Sequence, residues 1–88
     1  MKVRSVKTII YGSKFLQSYK KLNAKKKILA EKREQIFRNN AYDSRLKTHK
    51  LKGKLNDHWS FSITYSDRII FKFLKDDKVI FYDIGDHD

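Results

Sequence analysis

The feature that most constrains this chain is a seven-residue stretch in which apolar and polar residues alternate. Residues 59–65 read Trp-Ser-Phe-Ser-Ile-Thr-Tyr, the pattern of a β-strand with one buried face and one exposed face. Two further strands are predicted at 68–74 and 78–84, and each follows a short segment that can form a turn. The C-terminal third of the chain therefore predicts a three-stranded antiparallel sheet.

The side-chain pattern also predicts how these strands pair. A three-residue loop at 65–67 gathers the large apolar residues on one face through three pairs: Ile63 with Ile69, Phe61 with Phe71 and Trp59 with Phe73. A one-residue shift would bury Lys72 beside Phe61, which argues against it. At the second turn the expected pairs are Leu74 with Val79, Phe71 with Tyr82, Ile69 with Ile84 and Arg68 with Gly85. These registers predict six buried residues: Phe61, Ile63, Ile69, Phe71, Tyr82 and Ile84.

The opposite face of this sheet is predicted to be polar. It contains Ser60, Ser62 and Arg68. His87, two residues beyond Gly85, should lie on the Arg68 face at a diagonal separation of roughly 7–8 Å. Arg68 and His87 at one end of a polar sheet face are the first indication of a site.

The N-terminal half of the chain predicts one strand and two helices. The strand is centred on 6–10, and Ser13 is the expected N-cap of a short helix with apolar residues at helical spacing. Asn23 should cap a second helix from Ala24 to about Arg38, with an apolar stripe formed by Ile28, Leu29, Ile36 and Phe37. The fold class is therefore α+β: an N-terminal strand, a two-helix hairpin over the apolar sheet face, and a twisted antiparallel sheet, in a single domain 1–88.

The charge of the chain points to polyanionic or acidic partners. Twenty-one Lys and Arg residues against ten Asp and Glu residues give a formal net charge of +11, which attracts nucleic acid or an acidic protein. The longest apolar run has four residues, 79–82, so no membrane span or signal peptide is expected, and the cytoplasm is favoured. The chain has no cysteine, which excludes disulfides and thiolate chemistry.

Basic residues are densest between Tyr42 and Asp57. This segment predicts a short strand followed by a loop around Gly53, with its cations projecting outward: Arg45, Lys47, Lys50, Lys52 and Lys54. We predict that these five residues bind RNA. A second basic cluster, 20–27, surrounds the helix junction and is either a solvated face or a set of phosphate contacts.

The polar residues suit one reaction class better than others. Zinc-ligand spacing, a Gly-x-Ser-x-Gly turn and a phosphate-binding glycine loop are all absent from the sequence. Metal-independent RNA cleavage instead needs a base, a cation for the phosphate and an acid, with no cofactor. Arg68 is suited to the phosphate and His87 to the acid, and either Asp67 or His49 is the candidate base. We expect these four residues to converge on one sheet face.

A recognisable pattern is formed by residues 49–55, 59–63, 67–71 and 83–88, with further matches in the helices at Phe15, 19–22 and Phe37. Together these residues, which extend over nearly the whole chain, resemble the RelE/ParE superfamily of bacterial and archaeal toxins, in particular its YafQ-like and RelE-like messenger-RNA interferases.

This resemblance implies a function as well as a fold. It implies a type II toxin that binds substrate on the exposed concave sheet face, cuts messenger RNA on the ribosome and is silenced by a cognate acidic antitoxin. His49, Asp67 and His87 fall where YafQ-like toxins keep catalytic residues, and Arg68 falls where RelE keeps an arginine.

The chain departs from the family at several positions. Ser60 and Ser62 fall near the strand lysines of RelE, and Asp83 falls where YafQ-like toxins have an arginine. The sequence stops at Asp88, whereas many relatives continue to an aromatic residue that stacks on a base. Two alternatives to the ribonuclease therefore stay open: a ParE-like toxin that poisons gyrase, and a non-catalytic basic module that binds RNA or antitoxin.

Overall fold

The computed structural model describes residues 3–86, except for the side chain of Leu55. Along the chain lie β1 (Thr8–Tyr11), α1 (Ser13–Lys20), α2 (Ala24–Asn39), a 3₁₀ turn (Ser44–Leu46), β2 (His49–Lys50), a second 3₁₀ turn (Gly53–Leu55), β3 (Trp59–Ser62), β4 (Asp67–Phe73) and β5 (Lys78–Asp86). The α+β class, the two-helix hairpin and the short strand at His49 are confirmed.

The five strands form one mixed sheet in the order β1-β5-β4-β3-β2. The three predicted strands are antiparallel neighbours, as expected, and β2 extends them at one edge. At the other edge β1 runs parallel to β5. The N-terminal strand thus completes the sheet, and β5 becomes one of its inner strands.

The predicted pairing of β3 with β4 is wrong by two residues. Trp59 lies opposite Phe71 and Phe61 opposite Ile69, because the connecting loop is longer than expected. Thr64 closes this loop: its hydroxyl donates to the Asp67 carboxylate at 2.7 Å and accepts from the Asp67 backbone N–H at 3.0 Å. A two-residue shift keeps every side chain on its face, so the predicted division into an apolar and a polar face holds.

The pairing of β4 with β5 contains a β-bulge that the sequence pattern did not predict. Arg68 pairs with Gly85 and Ile69 with Ile84 as expected, but Phe71 pairs with Phe81 and Phe73 with Val79. The offset starts at the turn, where Leu74 N–H donates to the Lys78 oxygen, and the bulge cancels it. Tyr82 is the additional residue. The expected burial of Tyr82 is therefore wrong; the tyrosine is exposed.

The core lies between the two helices and one face of the sheet. Phe37 of α2 is fully buried, and its ring centroid lies 4.6 Å from that of Phe61 and 4.9 Å from that of Phe71. Phe15 of α1 packs against Phe81 at 5.2 Å. Ile28, predicted to belong to the apolar stripe of α2, is instead exposed.

Only one of the two helices begins with the side-chain cap that the sequence suggests. Asn23 caps α2 as predicted, since its side chain accepts from the Lys26 backbone N–H at 2.8 Å. The N-cap of α1 is Gly12 and not Ser13. Glycine is required there because a Cβ would lie 2.8 Å from the Phe81 carbonyl oxygen. None of the described helices is long and apolar enough to cross a membrane.

Candidate functional site

The sheet face away from the helices carries two rows of paired residues. In one row Ser62, Arg68 and Gly85 lie side by side on β3, β4 and β5. In the next row, His49 pairs with Ser60, and Ser60 pairs in turn with Ile70. Directly paired residues share a face, so His49, Ser60 and Arg68 are on the same side of the sheet. We call this side the outer face.

Arg68 and Ser60 each present a buried donor on the outer face. The Arg68 Nε and the Ser60 Oγ are both shielded from solvent, and neither has a hydrogen-bond partner within the described part of the chain. The two residues are diagonal neighbours across β3 and β4. Buried donors of this kind are normally paired, and an anion such as a phosphate could accept from both.

His49 is exposed at the β2 edge of the outer face, and its orientation is defined by one contact. Its Nδ1 lies 3.0 Å from the backbone oxygen of Lys47. A carbonyl oxygen can only accept, so in the neutral ring Nδ1 carries the hydrogen and Nε2 is left as the proton acceptor. His49 on β2 and Arg68 on β4 are separated by two strand-to-strand spacings across the sheet and by two residues along the strands. Their Cα atoms are therefore about 12 Å apart. A bound phosphodiester could contact both side chains.

Asp67 is the candidate that the structure does not bring to the outer face. It is buried on the helix side, where the Lys26 Nζ lies 2.9 Å from its Oδ2. Burial acts to raise the pKa of Asp67, but hydrogen bonds from Thr64 and Lys26 outweigh burial and hold the pKa below its ordinary value. Asp67 thus ties the β3–β4 loop to α2, and the expected convergence of Asp67 with Arg68 on one face is wrong. Adjacent strand residues point to opposite faces.

His87 lies outside the described residues. The pairing from which its place was predicted, Arg68 with Gly85, is present. The chain approaches His87 along β5, which ends at Asp86 directly opposite Asp67.

The predicted RNA-binding cations divide into two groups. Arg45 is engaged by Asp43: its Nε and Nη2 each donate at 2.9 Å to a different carboxylate oxygen. These hydrogen bonds lower the pKa of Asp43 to about 2. The other four, Lys47, Lys50, Lys52 and Lys54, are exposed around β2. The segment is therefore as basic as predicted, but Arg45 is already neutralised.

Two aromatic side chains on the outer face were not recognised from the sequence. The ring centroids of His58 and Tyr82 lie 5.0 Å apart. The sequence does contain a signal for the exposure of Tyr82: the four consecutive apolar residues at 79–82 interrupt the alternation of apolar and polar residues. Such a break is typical of a β-bulge.

Acidic side chains on and near the outer face are also partnered. Asp83 Oδ1 accepts from the Ser18 hydroxyl at 2.6 Å and from the Ile84 backbone N–H at 2.8 Å. Within residues 3–86, no group of three or more His, Cys, Asp or Glu residues is arranged to hold a metal ion.

Comparison with known proteins gives matches only among solved structures. No family model and no curated protein matches this sequence. A YoeB/ParE toxin from Agrobacterium tumefaciens superposes with a TM-score of 0.77 at 14% identity, covering 93% of this chain and 100% of that chain. The RelBE2 toxin–antitoxin complex from Mycobacterium tuberculosis gives 0.73 at 15% identity, with 98% of both chains covered.

The E. coli DinJ–YafQ toxin–antitoxin complex is a third such neighbour, with a TM-score of 0.72 at 20% identity and 92% of both chains covered. At these identities the likeness concerns the fold, and it extends over almost the full length of both partners in each comparison. The two helices, the mixed five-stranded sheet and these superpositions together show that the chain has the RelE-like toxin fold.

Proposed function

We propose that this chain is the toxin of a type II toxin–antitoxin system and that it is a metal-independent endoribonuclease acting on messenger RNA at the ribosome. The observation that carries the proposal is the buried Arg68 Nε on the outer face, which has no hydrogen-bond partner among residues 3–86 and lies in the row next to His49. Neighbours of the same fold are named as toxins, which supports the biological class.

His49 is the base in this proposal. Its Nε2 takes the proton of the ribose 2′-hydroxyl, and the 2′-oxygen attacks the adjacent phosphorus. The contact between Nδ1 and the Lys47 oxygen supports this role, since it leaves Nε2 as the acceptor. Asp67 was the alternative base, but its ion pair with Lys26 on the other side of the sheet argues against it.

Arg68 stabilises the negative charge that builds on the phosphate oxygens. Its guanidinium can donate two parallel hydrogen bonds to one phosphate, and Ser60 can add a third from the neighbouring strand. Lys47, Lys50, Lys52 and Lys54 would hold the flanking phosphates without reading the sequence.

His87 is the acid in this proposal. It protonates the 5′-oxygen as the bond from phosphorus to that oxygen breaks, which leaves a 2′,3′-cyclic phosphate on one product and a 5′-hydroxyl on the other. The support for this role is the register of β5. Gly85 pairs with Arg68 on the outer face, and strand alternation would bring the residue two positions later, His87, to the same face.

The proposed partner is an acidic antitoxin. A +11 surface attracts an acidic chain that orders as it binds. Two of the neighbours were solved as toxin–antitoxin complexes, which supports an antitoxin as the silencing partner here.

Cleavage of a defined messenger RNA, with and without ribosomes, tests the proposed reaction. We expect cyclic-phosphate ends, no effect of EDTA, and a rate that falls by about 10²–10⁴ in His49→Gln and in His87→Gln. Wild-type rates in both variants would refute the assigned acid and base. If the wild-type protein cuts no RNA under either condition, the ribonuclease proposal fails, and inhibition of gyrase becomes the next assay.

A further inference from the structure

Tyr82 and His58 form an aromatic pair on the outer face that the proposed reaction does not use. We propose that this pair is a stacking platform for one unpaired base of the RNA strand whose phosphate is held at Arg68. The inference rests on the proposed function for the identity of the strand, but the platform itself can be tested by binding alone.

The β-bulge presents Tyr82 to solvent on this face. Phe81 is fully buried and Ile84 packs against the core, so both point to the helix side. Tyr82 and Asp83 lie between them, and Asp83 belongs to the outer-face row through its pair with Ile70. Tyr82 retains 38% of its surface exposed, so part of the residue is open to a ligand.

His58 approaches Tyr82 from the opposite side of β4. It directly precedes β3, whereas Tyr82 is on β5, and β4 lies between those strands. The two rings nonetheless come within 5.0 Å at an interplanar angle of 60°. They therefore meet above β4, in the middle of the sheet.

Neighbouring charges hold the pair in place. The His58 Nδ1 lies 3.2 Å from Asp57, and the same carboxylate is 3.3 Å from the Lys72 ammonium. Lys14 of α1 places its ammonium 5.5 Å from the centre of the Tyr82 ring. A base stacked on Tyr82 would thus have cations close by for its own phosphate.

The platform is within reach of the same RNA strand as Arg68. Gly85, the partner of Arg68, is three residues from Tyr82 along β5, or roughly 10 Å at the rise of a strand. A nucleotide adjacent to the phosphate at Arg68 can span this separation. A polar and cationic setting also favours a base over a protein ligand, because the centres of protein interfaces are depleted of charge.

Binding of a non-cleavable RNA tests the platform. The probe is a fluorescent single strand of about 12 nucleotides with a 2′-O-methyl group at every position. We expect Tyr82→Phe to bind like the wild type, and Tyr82→Leu to bind roughly 5- to 100-fold more weakly, since leucine keeps apolar cover but lacks a π-face. Tyr65→Leu is the matched control, because Tyr65 is 98% exposed in the β3–β4 loop, and it should bind normally.

Probes with a single abasic position then identify the contact. Removal of the stacked base should weaken binding to the wild type but not to Tyr82→Leu. The platform is refuted if Tyr82→Leu binds the intact probe as tightly as the wild type, or if every abasic penalty is the same in both proteins. A wild type that binds with this coupling but cleaves no messenger RNA would overturn the proposed catalysis and leave the platform standing.

Discussion

Asp67 and Arg68 show that a shift of one position along a strand places a side chain on the opposite face of the sheet. The two residues are adjacent in sequence, yet Asp67 is ion-paired to Lys26 on the helix side while Arg68 is on the outer face. Both carry charges that would suit phosphate chemistry, so residue type alone could not separate them. Their positions place Asp67 on the helix side, where it ties the β3–β4 loop to α2, and Arg68 on the outer face.

Asp67→Asn should lower stability in a pH-dependent way. Because the folded-state pKa of Asp67 is lowered, its stabilising contribution is complete above the ordinary aspartate pKa of about 3.9 and is lost as pH falls through the lower folded-state value. At pH 7 we expect a loss of roughly 1 kcal/mol, since Lys26 is partly exposed. Urea unfolding at several pH values measures this loss.

The matched control for this variant is Asp76→Asn, in the exposed β4–β5 turn, which should change stability little at any pH. The difference between Asp67→Asn and the wild type should shrink as the carboxylate titrates in acid. A difference that stays constant from pH 7 to acid would contradict the ion-pair role.

Arg68→Lys should impair RNA cleavage although it conserves the charge. Lysine lacks the Nε–H and the planar fork that can hold one phosphate with two bonds. We expect a loss of roughly 10- to 100-fold in kcat/KM, the size of one charged hydrogen bond. Arg38→Lys, at the Glu34 ion pair on α2, is the control and should cleave normally. Equal rates for the two variants would show that Arg68 acts only through its charge.

Among the elements, the junction of β1 and α1 depends on one close backbone approach. The Gly12 N–H donates to the Phe81 oxygen at 3.0 Å, and a Cβ on Gly12 would lie 2.8 Å from that same oxygen. Gly12→Ala should therefore push α1 away from β5 and cost roughly 1–3 kcal/mol. Thermal unfolding measures the loss, with the neighbouring Ser13→Ala as the control. An unchanged melting temperature in Gly12→Ala would mean that the two backbones can separate without cost.

Alternation was sufficient to predict β3 and β4 and their faces, but it predicted neither the pairing partners of their residues nor the face of Tyr82. Phe61, Ile63, Ile69 and Phe71 are buried as predicted, because period-two burial depends only on the local sequence. The Thr64–Asp67 hydrogen bonds that lengthen one loop, and the bulge at Tyr82, depend on contacts between strands. The alternation of apolar and polar residues along a single strand carries no information about contacts between strands.

Only some residues of the candidate site could be predicted, because their placement also depends on contacts between strands. Arg68 was placed on the polar face from the expected strand pairing, and His49 was proposed from its residue type and the family resemblance; both lie on the outer face. Asp67 was expected in the loop between β3 and β4, but it is the first residue of β4, and its side chain lies on the helix side. The His58–Tyr82 pair was missed because rings that meet across an intervening strand leave no signal at short sequence spacing.

At the scale of the whole molecule, the +11 charge should make RNA binding strongly dependent on salt. If Arg68 and the four exposed lysines each neutralise one phosphate, the affinity for single strands should fall about 100-fold between 50 and 200 mM salt. Lys52→Gln should reduce the slope by about 0.7, whereas Arg45→Gln should change it less, because Asp43 already holds Arg45. Equal slopes for the two variants would show that RNA displaces Asp43. Fluorescence titrations of the non-cleavable probe supply these values.

The position of β5 in the sheet has a consequence for how the protein is made. β5 is the last described strand in the sequence, yet it lies between β1 and β4, and its partner Thr8 is 70 residues from Lys78. Contacts over such separations form late and slowly. A growing chain that has not reached Lys78 leaves β1 without a partner and the Arg68 row without its third strand. The sheet can therefore close only after the residues of β5 have been synthesised, so the outer face cannot form on a chain that is still being extended toward Lys78.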